Sequence, residues 1–176
     1  MTTTGASATR LCAACGMCCN GVMFYSMRLQ PSDQARSLTA LGLKLKRKNR
    51  EWHFLQPCPA HQDSRCTIYA QRPERCRVFS CRQLQAVEAG QISEAAALEK
   101  IDEAQRAVAR VRELFHQAGD TRETKAFATR GEAVFTPPLD PSPEATATRG
   151  KLALALRELD ELLTRNFRVE TENARH

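Results

Sequence analysis

Residues 12–19 read Cys12-Ala13-Ala14-Cys15-Gly16-Met17-Cys18-Cys19, four thiols in eight positions. Four more follow at Cys58, Cys66, Cys76 and Cys81, and residues 82–176 hold none. The thiols therefore define a local site rather than a bias of composition. A C-x2-C turn lets two sulfurs converge on one centre while backbone amides point inward, and Gly16 frees the turn to do so. Three cysteines at successive x2 spacing look more like iron–sulfur loops than zinc knuckles, which carry two separated pairs. Cys18 and Cys19 are adjacent, so in an extended chain their side chains diverge, and one of them should serve a second centre or be buried. Two arrangements follow from the count. Either two four-thiolate sites each draw on both cysteine groups, or one centre takes four or five thiolates and the rest are structural or redox-active.

Working outward, the chain reads as an α+β protein: a small, loop-rich cysteine module with short strands, followed by a long-helix hairpin. Residues 1–11, rich in Thr, Ala and Ser, are expected to be a disordered N-terminus. The metal-binding module spans 12–90. Within it Val22–Leu29 reads as a strand, and Ser32 as the cap of a helix running to Leu41 with Gly42 as its stop. The alternation of Leu43 and Leu45, then Trp52 and Phe54, predicts a hairpin turning at Lys48, Asn49 and Arg50. A short strand is expected at Thr67–Tyr69, and a short helix from Arg82 to Ala89, ended by Gly90. Ala97, Ile101, Ala104, Val108, Val111 and Phe115 step by four and three, which is a helical seam. It places a long helix within 91–119, with Ser93 as cap and Gly119 as stop. Residues 120–148, with Pro137, Pro138, Pro141 and Pro143, read as a Pro-containing connector of little structure. A C-terminal helix follows over 149–167, carrying Leu152, Leu156, Leu159 and Leu163 on one side, and then a tail over 168–176. The two long helices should pack as an antiparallel pair or against the cysteine module.

Charge follows the thiols. Residues 1–90 hold 13 Lys and Arg against 5 Asp and Glu, and the rest of the chain 13 against 15, which together give the net +6. Arginines flanking cysteines would favour thiolates and offset their charge. The N-terminal residues contain no apolar core of a secretory signal, and no apolar stretch approaches a membrane span. A cytoplasmic setting, where thiols stay reduced, is the expectation, and it favours metal over disulfides. His61 lies three residues after Cys58, but a lone histidine in such a loop is more often solvated or hydrogen-bonded than a ligand. His53, His116 and His176 are poorer candidates still.

The order Cys12-x2-Cys15-Gly16-x-Cys18-Cys19, Cys58, Cys66-Thr67-Ile68-Tyr69, Arg72-Pro73-x2-Cys76-Arg77-x-Phe79-x-Cys81 resembles the YkgJ-type cysteine-cluster family. That family is described as a zinc- or iron-chelating domain and often labelled an Fe–S-cluster protein. The resemblance covers residues 12–81 and implies a metal or cluster bound by Cys12, Cys15, Cys18, Cys19, Cys58, Cys66, Cys76 and Cys81. It brings no reaction with it. Around these ligands, Pro73 sets the approach of the chain to Cys76. Tyr69, Arg72 and Arg77 are placed to pack on the site or donate hydrogen bonds to it.

The function expected is thus metal binding, as an iron–sulfur or mononuclear iron site for electron transfer, sensing or cluster handling. The alternative is a structural zinc module whose helical half recruits a protein partner. Thiol redox chemistry at Cys12 and Cys15 lacks the βαβ surroundings it usually has. A solvated charged hairpin is a simpler reading of Lys44–Arg50 than a nucleic-acid surface. No Ser-His-Asp order, phosphate loop or paired carboxylates is present, so no catalytic constellation is assigned.

Overall fold

The computed structural model describes residues 3–169, with side chains from residue 9 onward. Most of the expected tail, with His176, lies outside the described residues. Helix α1 (Thr3–Cys15) opens the chain where a disordered N-terminus was expected, and it carries the first half of the cysteine motif. Its end is anchored: Leu11 is buried, and Gln105 of a later helix donates to the Cys15 carbonyl. A Thr/Ala/Ser stretch that looks unable to bury anything is thus fixed from its C-terminal end.

Strands β1 (Ser26–Arg28), β2 (Leu45–Lys48) and β3 (Glu51–Leu55) form an antiparallel sheet in the order β1-β3-β2. Met27 and Leu45 flank Phe54 from either side, and Phe54 is almost fully buried. The hairpin turns at Asn49 and Arg50, both in left-handed conformation (φ 50° and 65°), as the twist of a two-residue turn requires. Helix α2 (Ala35–Ala40) is shorter than expected and is not capped by Ser32. Asp33 instead accepts from the amides of Gln30 (2.7 Å) and Glu74 (2.9 Å), tying this turn to the second cysteine segment.

The strand expected at Thr67–Tyr69 is displaced. The pairing is β4 (His61–Gln62) with β5 (Arg65–Cys66), around a second left-handed turn at Asp63 and Ser64, and Tyr69–Gln71 is a 3-10 turn. Helices α3 (Glu74–Val78) and α4 (Arg82–Glu88) complete the cysteine segment.

Helix α5 (Glu94–Gln117) matches the predicted seam. Ser93 accepts from the Ala96 amide at 3.1 Å, and all six seam residues are buried. The expected connector over 120–148 is not loop throughout: it contains α6 (Phe127–Phe135), and α7 begins at Pro143 and runs to Asn166. Pro137 and Pro138 follow the end of α6, and Pro143 sits in the first turn of α7 behind its cap Ser142, so the prolines punctuate helices rather than dissolve them. Arg110 of α5 pairs with Glu158 of α7 at 2.8 Å, while Glu103 lies in the field of Arg165. Rising numbers on α5 thus meet falling numbers on α7, and the pair is antiparallel.

Two cores result. The larger joins α5 and α7 to Leu11, Met17, Val22, Met23 and Leu84 of the cysteine segments, with Phe127 and Phe167 closing it. The smaller holds Met27, Leu38, Leu43, Phe54 and Ile68, with Cys58, Cys66 and Cys76 packed against it. Buried side chains of the Leu and Phe size contribute about 1.5–3 kcal/mol each. Helix α6 also reaches the first cysteine loop: the Phe127 amide donates to the Gly21 carbonyl at 2.9 Å. A side chain at Gly21 (φ 82°) would strike the Ala126 backbone at 2.9 Å, so this position demands glycine.

Candidate metal centre

Cys12 and Cys15 lie three residues apart on the last turn of α1, and so share a face. The helix stops because Gly16 turns left-handed (φ 61°). Its amide closes back on the Cys12 carbonyl at 2.9 Å, and its carbonyl then accepts from the amides of Cys19 (2.9 Å) and Asn20 (3.0 Å). Beyond this tight turn Met17 is driven fully into the core. The Cys58 amide donates to the Cys19 carbonyl at 2.8 Å, which joins the two cysteine groups directly. Cys66 sits on β5 opposite His61, Cys76 on α3, and Cys81 at the start of α4.

All eight thiols are free and all eight line one cavity of about 350 Å³. Cys12 is exposed; the other seven are partly buried. The thiols fall into two quartets by mutual influence. Cys12, Cys15, Cys18 and Cys81 act on one another, and Cys19, Cys58, Cys66 and Cys76 form the second set, with the two sets linked through Cys18–Cys19 and through Cys12–Cys19. Each quartet takes members from both sequence groups. Among the described residues, no three His, Cys, Asp or Glu side chains already converge on a single ion position.

Burial pushes the Cys15, Cys19 and Cys76 thiols up to about 12, with neighbouring thiols adding to the rise at Cys19 and Cys76. Burial also raises Cys18, Cys58 and Cys81. The amides of Gln83 and Leu84, in the first turn of α4, oppose that rise at Cys81, as those of Ala60 and His61 do at Cys58 and that of Met17 at Cys15. The charge compensation expected from the flanking arginines narrows to Arg72, the cation that lowers Cys12 in one quartet and Cys76 in the other. Arg72 also stacks on Tyr69 at 4.0 Å, and both line the cavity. Arg77 does not; it pairs with Glu74 at 2.8 Å. Ligation requires thiolates, so a bound metal must displace the thiol protons.

Sequence reading alone missed several cavity residues. Ile101 and Phe167 reach it from the helical half. Gln105 holds the Cys15 carbonyl, and its spacing of four from Ile101 on α5 was the available signal. His61, read as solvated or hydrogen-bonded, lines the cavity with its Nε2 sealed from solvent and without a partner among the described residues.

Eight soft sulfur donors with apolar walls fit zinc or iron and exclude the hard, oxygen-seeking cations. The fold and the site define a cysteine-rich metal-chelating protein. Residues 11–100 match the CxxCxxCC family model, described as "Putative zinc- or iron-chelating domain", and the chain belongs to that family. No curated protein and no solved structure matches it. No helix among the described residues is long and apolar enough to cross a membrane.

Proposed function

We propose that the chain holds two adjacent four-thiolate iron–sulfur centres and passes single electrons between them and a partner. The first centre would use Cys12, Cys15, Cys18 and Cys81, and the second Cys19, Cys58, Cys66 and Cys76. The observation that carries this reading is the cavity of about 350 Å³ among the eight thiols. A tetrahedral zinc–thiolate site has sulfurs about 3.8 Å apart, given Zn–S of about 2.3 Å, and encloses almost no void. A polynuclear cluster adds its own inorganic atoms between the sulfurs and so needs the space.

The residues of this chain hold and tune such centres. Backbone amides at Cys15, Cys58 and Cys81 favour the thiolate form and would stabilise negative charge on a bound group. Arg72, influencing one thiol of each quartet, offsets charge on both sides. Apolar walls such as Met17, Met23 and Phe24 keep water out. The exposed Cys12 marks the edge through which an electron would enter or leave. The centres supply reversible one-electron storage when bound.

Anaerobic purification of the full chain tests this. The expected protein is brown, with iron and acid-labile sulfide in equal amounts and visible absorbance bleached by dithionite. Cys81→Ser and Cys58→Ser should each remove about half of the iron, since each quartet depends on all four of its sulfurs. A colourless protein with two zinc ions per chain would make the module structural, and a single variant that removes all the metal would merge the quartets into one site.

A further inference from the structure

His61 stands between the two quartets. Its backbone belongs to the second: it pairs with Cys66 across the β4–β5 ladder, and its amide donates to the Cys58 carbonyl at 3.0 Å. Its imidazole reaches the Gly16 turn, which carries Cys15 and Cys18 of the first. A methyl group added at Gly16, in the turn between Cys15 and Cys18, would lie 3.1 Å from His61 Cε1 and 3.2 Å from Nε2. Gly16 is thus required twice, for its left-handed backbone and for the room it leaves the ring.

The Nε2 atom is shut off from solvent and has no hydrogen-bond partner among the described residues. A buried polar atom left so is costly, and the group that satisfies it must come from the cavity it faces. Two other unpartnered atoms line the same cavity, Gln56 Oε1 and Gln83 Oε1, but neither is hydrogen-bonded to Nε2. A neutral imidazole with its proton on Nε2 donates, and since no oxygen or thiol of the cavity is bonded to it, the acceptor it lacks is one that a bound sulfur-rich centre would bring.

We propose that His61 is a positioning residue that donates from Nε2 to a sulfur of the centre held by Cys12, Cys15, Cys18 and Cys81. The inference rests on the two-centre reading above. A hydrogen bond to sulfur stabilises the more negative, reduced state of a cluster and so raises its reduction potential. The second quartet supplies the ladder that carries His61, and the first receives its proton donor, so the potential of one centre depends on the correct folding of the other. The chain needs no further titratable group for this, and no bond forms or breaks during electron transfer.

The test uses the full chain, purified without oxygen and labelled with 15N-histidine. Redox titration with dithionite is followed by electron paramagnetic resonance, and pulsed measurements read the histidine nitrogen coupling. His61→Leu should keep wild-type iron and sulfide, lose the histidine coupling, and shift one of the two midpoint potentials to a more negative value. The wave that moves should be the one missing from Cys81→Ser and retained in Cys58→Ser. His61→Gln, whose amide can still donate, should recover part of the shift. Unchanged potentials in His61→Leu would overturn the proposal, as would loss of iron from that variant, because Nε2 would then be a ligand. Wild-type protein that binds no iron, or only one centre, removes the two-centre reading and this inference together, and the iron and sulfide analysis identifies that outcome before any variant is made.

Discussion

Helices α5 and α7 meet along a seam filled by their own side chains, whereas the cysteine segments surround space that no side chain fills. Ala97, Ala104, Val108, Val111 and Phe115 are fully buried on α5, and Leu152 and Leu163 answer them from α7. A protein interior packs as densely as an organic crystal, and a void ordinarily closes by local collapse. The cysteine cavity is held open by features that resist collapse. These are the left-handed turn at Gly16, the Cys58–Cys19 backbone bond and the tie from Asp33 to the amide of Glu74. The helical region finishes its core with residues, and the cysteine region leaves thiols facing a cavity.

Metal removal tests that contrast most severely. A structural metal can contribute on the order of 10 kcal/mol to folding. Stripping the metal from the full chain should therefore leave amides of β1, β3 and α3 open to hydrogen exchange. The α5 and α7 amides around Val108–Phe115 and Leu152–Leu163 should stay protected, because their partners are side chains. Mass spectrometry of the exchanged protein reads both regions in one experiment. Equal loss of protection in both would mean that the shared contacts of Leu11, Met17 and Met23 make the molecule a single cooperative unit.

A smaller effect should come from the helical side. Asp120, just beyond Gly119, receives Arg130 Nε at 2.9 Å and Arg122 Nε at 2.8 Å, and both Asp120 and Arg130 are buried. Arg130 also lies 4.3 Å over the Phe115 ring. Arg130→Met removes one partner of a buried pair and should cost about 3 kcal/mol in urea denaturation while metal content stays at the wild-type level. The pair has a pH signature. Burial pushes the Asp120 carboxyl up, but its hydrogen bonds with Arg122 and Arg130 more than reverse this, so its folded pKa lies below the ordinary value. The stabilisation is complete above the unfolded pKa of about 4 and is lost as pH falls through the lower folded value. Arg130→Met should flatten that acid decline. Loss of metal from this variant would show that α6, through Phe127 and Gly21, supports the cysteine loop more than it supports the helices.

The two regions also differ in how much of them could be read from the chain. The α5 seam and its Ser93 cap were legible because a period of 3.6 and a capping residue are local signals, and the hairpin at Asn49-Arg50 was legible for the same reason. Helix α6 was hidden by the prolines on its C-terminal side. Helix α1 was hidden because its fixed end depends on Leu11 and Gln105, a contact across 90 positions. The thiols announced a metal site by number and spacing. The approach of Cys81 to the first group and of Cys19 to Cys58 did not show, since each depends on contacts that form only on folding. His61 was undervalued because nothing in sequence reveals that a ring will be sealed beside a glycine.

The smallest effect lies at the junction of the two regions. Ser93 opens α5 by accepting from the Ala96 amide, and the next residue, Glu94, pairs with Arg10 of α1 at 2.6 Å. Ser93→Ala removes the capping oxygen and leaves the first-turn amides to water, which should cost about 1 kcal/mol. The location of that loss is what matters. If the helical region stands by itself, the loss appears in the denaturation midpoint followed by far-ultraviolet dichroism, and the metal content stays fixed. If the first turn of α5 is instead a wall of the metal site, joined to it by Arg10–Glu94 and by Ile101 in the cavity lining, the same substitution will also speed metal release to a chelator. The geometry favours the first result: Ile101 and Gln105 lie two and three turns beyond the cap, and fraying at a helix end dies out within its first turn.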